Sequence, residues 1–116
     1  MADVVVTVPL SFGLGHWIAE GDAAGEPWSG EEWGFYLGGF PPDIHPGERV
    51  YVVFNRRLRG YAPLVGIERG THGYGLIRRG DAVAVTIDEP IVGFRGFRYR
   101  WWKLEDERPF PDWKTP

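Results

Sequence analysis

Seventeen Gly and ten Pro in 116 residues cut this chain into short pieces. Both residues are poor inside helices, and the pieces between them are rich in strand-forming β-branched and aromatic side chains. Asp3 to Val8 reads as a strand stopped by Pro9, and its unbroken apolar run predicts burial on both faces. Glu32 to Leu37 reads as a second strand, closed by Gly38-Gly39. Gly47 to Phe54 is a turn feeding a strand, Asn55-Arg56-Arg57 turns it, and Leu58 to Glu68 returns. Arg69 to Gly75 reads as loop, and Gly80 to Ile87 as another turn and strand. There Val83, Val85 and Ile87 fall on one face and Ala82, Ala84 and Thr86 on the other. Ile91 to Lys103 is predicted as the last long strand, and His16 to Glu20 as one short helix ended by Gly21.

The expected fold is therefore mainly β: a small pseudo-barrel or two-sheet sandwich of six or seven strands with one short helix. No βαβ rhythm is present. The length fits a single domain, placed at residues 1–104, with an irregular tail at 105–116 that Trp113 pins to the body. A hydrophobic fraction of 43% is ordinary for a folded protein. With no Cys, disulfides, thiolate metal sites and cysteine nucleophiles are excluded. His16, His45 and His72 lack metal-ligand spacing, so no metal or cofactor is expected. No apolar run approaches the roughly 18 residues of a membrane span, and the start lacks a basic leader, so a cytoplasmic protein is expected. Eleven Arg against two Lys, no Gln and a single Asn fit a thermostable protein or a GC-rich genome.

Charge is partitioned along the chain. Residues 1–48 carry eight acids and no Lys or Arg, residues 49–103 eleven bases and four acids, and the remainder four acids and two bases. Net values of −8, +7 and −2 thus underlie the overall −3. The basic middle ends in Phe94-Arg95-Gly96-Phe97-Arg98-Tyr99-Arg100-Trp101-Trp102-Lys103, where cations and aromatics interleave. That combination suits phosphate and base recognition.

Two units, Gly47-Glu48-Arg49-Val50-Tyr51-Val52 and Gly80-Asp81-Ala82-Val83-Ala84-Val85, share a Gly, acid, any, Val, any, Val pattern. With Val4 to Pro9 and the returning Leu58-Arg59-Gly60-Tyr61-Ala62, they resemble the PUA-like superfamily of PUA, ASCH and EVE domains. The resemblance implies a pseudo-barrel that binds RNA or modified bases in a cleft near the first helix. It departs at the ASCH signature Gly-x-Lys-x-x-Glu-x-Arg. Here that stretch reads Gly13-Leu14-Gly15-His16-Trp17-Ile18-Ala19-Glu20, without Lys or Arg. The amidohydrolase activity of that group is therefore not implied.

Strand alternation sets Phe97, Tyr99 and Trp101 on one face, as core, and Arg98, Arg100 and Trp102 on the other, as a phosphate- and base-contacting face. Arg56, Arg57 and Arg59 at one turn, with Arg78 and Arg79 at another, would extend it as a basic rim. The same arginines would otherwise solubilise hairpin tips, or pair in space with the acidic first third. Ser11, His16, Trp17, Trp33 and Tyr36 are candidate pocket walls, since clustered aromatics line pockets or seal cores. No nucleophile, Walker or dinucleotide motif occurs. The expected function is binding of RNA or a small nucleotide-like ligand through arginines and aromatics. The alternatives are a small enzyme acting on a modified nucleoside or nucleotide, and a protein-interaction or structural module. The sequence leaves the oligomeric state open.

Overall fold

In the computed structural model, residues 3–11, 32–79 and 82–111 are described, without the side chains of Glu32, Trp33 and Arg79. Among the described residues, eight strands follow in chain order: β1 (Val4–Thr7), β2 (Glu32–Gly38), β3 (Arg49–Phe54), β4 (Arg57–Arg69), β5 (Gly73–Arg79), β6 (Val85–Thr86), β7 (Phe97–Tyr99) and β8 (Arg108–Pro109). A short 3-10 turn, Leu104–Asp106, precedes β8. Six strands form one sheet in the order β2-β5-β4-β3-β1-β7, curled into a half-barrel, and β6 pairs with β8 in a small second sheet. The protein is mainly β, as its Gly and Pro punctuation predicts. The helix expected at His16 to Glu20, and the turn at Gly80-Asp81, lie outside the described residues.

β1 lies parallel to β3 and antiparallel to β7, which makes it an interior strand. Its valines are buried on both faces, as their uninterrupted run predicts: Val5 packs with Tyr51, Val53 and Trp102, and Val4 and Val6 pack with Val50, Leu64 and Leu76. Residues 82–87 alternate as expected. Val83, Val85 and Ile87 join the Tyr51 and Trp102 cluster, while Ala82 and Ala84 join Val52, Phe54 and Phe110.

The β3–β4 hairpin turns on Asn55 and Arg56, both at positive φ (51° and 65°), the left-handed pair that a tight two-residue turn demands. Beyond it the register shifts, so that Val52 faces Gly60 and Val53 faces Leu58. Arg59 is the extra residue of this bulge, and Gly60 supplies the backbone conformation it needs (φ 150°).

Three expectations change. The predicted strand from Ile91 to Lys103 shrinks to β7, because residues 91–94 leave the sheet. Ile91 N donates to the Arg56 carbonyl, Phe94 N donates to Thr7 Oγ1, and Gly96 at φ 70° turns the chain. The predicted loop from Arg69 to Gly75 contracts to Gly70–His72, since β4 runs to Arg69 and β5 begins at Gly73. The segment read as a tail is tied to the body as far as it is described. Phe110 is buried in the core and its N–H donates to the Ala84 carbonyl, and β8 pairs with β6. Trp113 lies outside the described residues.

Candidate functional site

The arginines expected to share one surface differ in burial and in partners. Arg59 is only 5% exposed and stacks 4.0 Å from the centroid of Phe110, with Arg57 at 4.4 Å from the same ring. The C-terminal segment is the cause: Arg57 and Arg59, two residues apart on one face of β4, meet the same Phe110 ring, which covers that face. Burial, and then the charge of Arg57, lower the Arg59 pKa to about 10. Arg78 is 1% exposed, in the inward row Tyr74, Leu76, Arg78 of β5, with its guanidinium 4.9 Å from the Phe35 ring. Arg100 donates from Nε to Asp3 Oδ2 at 3.2 Å and from its guanidinium to the Trp102 carbonyl. Arg56 remains exposed at its hairpin tip, and Arg98 is exposed above Phe94 at 4.6 Å. The Arg79 backbone pairs with Glu32, and its side chain is outside the described set.

The aromatics also change roles. Trp102, expected to meet a base, is 7% exposed. It packs edge-on against Tyr51 at 5.1 Å and donates from Nε1 to Glu107 Oε2 at 2.8 Å. Tyr99 and Trp101, expected in the core, are exposed instead. β7 is an edge strand of three residues, and the chain leaves it before alternation can place residues 101 and 102. The acidic first third does pair with the basic middle: Asp3 Oδ1 accepts from Arg49 N at 2.8 Å, and Oδ2 from Arg100.

What the structure does assemble lies at the other end of the sheet. Along β2 and β5, Phe35, Leu37, Tyr74 and Leu76 point into the core. The alternate positions, Gly34, Tyr36, Gly73 and Gly75, make the outer face. Register sets Tyr36 opposite Gly75, and Gly75 opposite Glu68 of β4, in one outward row. The Tyr36 ring lies down on this glycine floor. A Cβ at Gly75 would stand 2.6 Å from its Cε1, and one at Gly34 would stand 3.0 Å from its Cε2. One ring face thus covers backbone, and the residue is still 68% exposed.

Two grooves flank the β4–β5 turn. One, of about 350 Å3, runs between Tyr36 and Glu68 over Gly73 and Gly75. The other, of about 340 Å3, is lined by Gly39, Phe40 and Pro41, with Phe40 92% exposed. Arg69, Gly70, His72 and Gly73 line both, so the turn is a ridge between them. The ridge is fixed by backbone bonds: Gly70 N donates to the Gly73 carbonyl, and Gly39 N to the His72 carbonyl. Among the described residues, no side-chain hydrogen bond or ion pair engages Glu68, Arg69 or His72. A third cavity, about 280 Å3, lies between Val6–Pro9 and Gly34–Leu37.

Of the expected pocket walls, Tyr36 lines the first and third cavities. Ser11 is exposed and lines none of the three, and His16, Trp17 and the Trp33 side chain fall outside the described residues. Glu68, Arg69, His72 and Phe40 were not singled out by sequence. The signal was the spacing of Gly73 and Gly75, which leaves one strand face bare. Among the described residues, no group of three or more His, Asp or Glu side chains is placed to hold a metal, and no helix is long and apolar enough to cross a membrane. No family model, curated protein or solved structure matches the chain.

Proposed function

We propose that this protein binds single-stranded RNA or a nucleotide-like ligand without transforming it, and that the ligand lies across the β4–β5 ridge. The observation that carries the reading is the pairing of two aromatic-walled grooves around one shared cation. Tyr36 serves one groove, Phe40 serves the other, and Arg69 lines both. Bases stack on exposed rings whatever their sequence, and a cation between two stacking sites meets the phosphate that joins two nucleotides. The glycine floor lets the Tyr36 ring lie flat on the sheet, with its other face free for a base. The motifs that resemble PUA-like domains favour the same ligand class.

The test is a fluorescence-anisotropy titration of a labelled oligouridine at low salt. Wild-type protein is expected to bind. Tyr36→Ala and Phe40→Ala should each weaken binding by about 1–3 kcal/mol, the usual worth of one stacked base. Both rings are largely exposed, so each variant should keep the wild-type unfolding midpoint. Absence of binding by the wild-type protein at low salt would sink the reading.

A further inference from the structure

We infer that the Tyr36 groove is selective for guanine, with Glu68 as the residue that reads the base. The inference rests on the RNA-binding reading and adds to it the identity of the nucleotide held in that groove. Its basis is the outward row Tyr36, Gly75, Glu68, which spans three neighbouring strands. Adjacent strands lie roughly 4.8 Å apart, so the two side chains rise about 10 Å apart at their bases, with only a glycine between them. The Tyr36 ring leans over that glycine, as its closeness to a Cβ built at Gly75 shows. A planar ring stacked on the free face of Tyr36 would therefore present an edge towards Glu68.

A carboxylate offers acceptors only, on two oxygens side by side. It suits an edge with two adjacent N–H donors and is repelled by an edge carrying an acceptor. Guanine presents such a pair, N1–H and the exocyclic N2 amine, on its Watson–Crick edge. Adenine and cytosine each place a ring acceptor beside their amine, and uracil flanks its single N–H with two carbonyls. Glu68 is exposed and held by no side-chain partner among the described residues, so its oxygens are available to a ligand. Its charge would oppose a phosphate approaching from the same side. Arg69, the next residue, lines the same groove and offsets that repulsion at the ridge.

The experiment compares oligouridines carrying one central guanosine, inosine or adenosine, bound to wild-type protein and to Glu68→Gln. Inosine keeps N1–H and lacks the N2 amine. Wild-type protein should prefer the guanosine strand over the adenosine strand by roughly tenfold or more, with inosine between them. Glu68→Gln should lose most of that preference, both by weakening the guanosine strand and by binding the adenosine strand more tightly than the wild type, since the amide removes the charge and can donate to an acceptor edge. Equal wild-type affinity for the three strands would overturn the guanine inference and leave the RNA-binding reading intact. An unchanged preference in Glu68→Gln would overturn the role of Glu68. If no strand binds the wild-type protein, both readings fall together.

Discussion

The Tyr51 hydroxyl donates a 2.6 Å hydrogen bond to Glu107 Oε2, joining residues 56 apart in sequence. The same oxygen accepts from Trp102 Nε1 at 2.8 Å, and Oε1 faces Arg49 at 3.4 Å. The Glu107 side chain is only 6% exposed. This one carboxylate therefore holds the C-terminal segment against β3 and completes two donors that the core would otherwise strand. Arg49, half-buried, covers the site by stacking 4.1 Å from the centroid of Tyr61.

Removing that acceptor should cost more than removing one donor. Glu107→Ala leaves the Tyr51 and Trp102 donors unmade and should lower stability by about 2–4 kcal/mol, whereas Tyr51→Phe should cost about 1–2 kcal/mol. Urea unfolding followed by tryptophan fluorescence reads both. A Glu107→Ala midpoint equal to that of the wild type would show that the cluster does not hold the segment.

Alkaline pH should weaken the fold. Burial is the leading cause that pushes the phenols of Tyr51, Tyr61 and Tyr74 above their ordinary value of 10.0; for Tyr51 the bond to Glu107 adds to it. The unfolded chain loses these protons near pH 10 and the native protein loses them later. Stability is then full below about pH 10 and falls above it, by up to about 1.4 kcal/mol per pH unit for each tyrosine. Arg59 acts oppositely. Held at about 10 in the native state against an ordinary 12.5, it gives up its proton first in the folded protein and offsets one tyrosine. The net slope stays downward, and Tyr51→Phe should make it shallower. Urea midpoints measured from about pH 9 to about pH 12 check the sign, and a flat profile would contradict it.

The salt dependence of RNA binding should name the working cation. Each phosphate neutralised on a single strand contributes about −0.7 to the slope of log affinity against log salt. Arg69→Ala should flatten that slope by roughly one such step. Arg100 is held by Asp3 and by the Trp102 carbonyl, so Arg100→Ala should lower stability and leave the slope as it was. The reverse pattern would return the site to the basic segment around β7.

What the sequence made legible was what local rules govern. The valines of β1, the turn at Asn55-Arg56 and the alternation of 82–87 follow from propensity, positive φ and pleat. The acid after Gly47 in the repeated Gly-acid unit caps its turn, with Glu48 accepting from His45 N at 2.8 Å. Long-range choices were not legible. Phe110, from near the end of the chain, folds over the face of Arg57 and Arg59, and no composition rule marks that cover. Asp3 finds Arg100 across nearly the whole chain, which cancels charges that a linear count treats as free. The site was hidden for a related reason: glycines at 73 and 75 look like a loop until pairing with Tyr36 and Glu68 shows them as a floor.

Gly75→Ala isolates the Tyr36 platform from the fold. A methyl group at residue 75 would stand 2.6 Å from Tyr36 Cε1 and 2.8 Å from Cδ1, too close for either ring atom to stay. The obstacle is an exposed side chain and not backbone, so the ring can swing aside at little cost. Gly73→Ala differs, because its methyl group would press on the Leu37 carbonyl and the Gly38 Cα, which belong to the paired strand. Gly75→Ala should thus keep a near wild-type unfolding midpoint while weakening RNA binding about as much as Tyr36→Ala does. Gly73→Ala should lower the midpoint itself, since β2 and β5 would have to part. If Gly75→Ala bound RNA like the wild type while Tyr36→Ala did not, the ring would act without resting on the floor. The flat platform would then have no part in recognition.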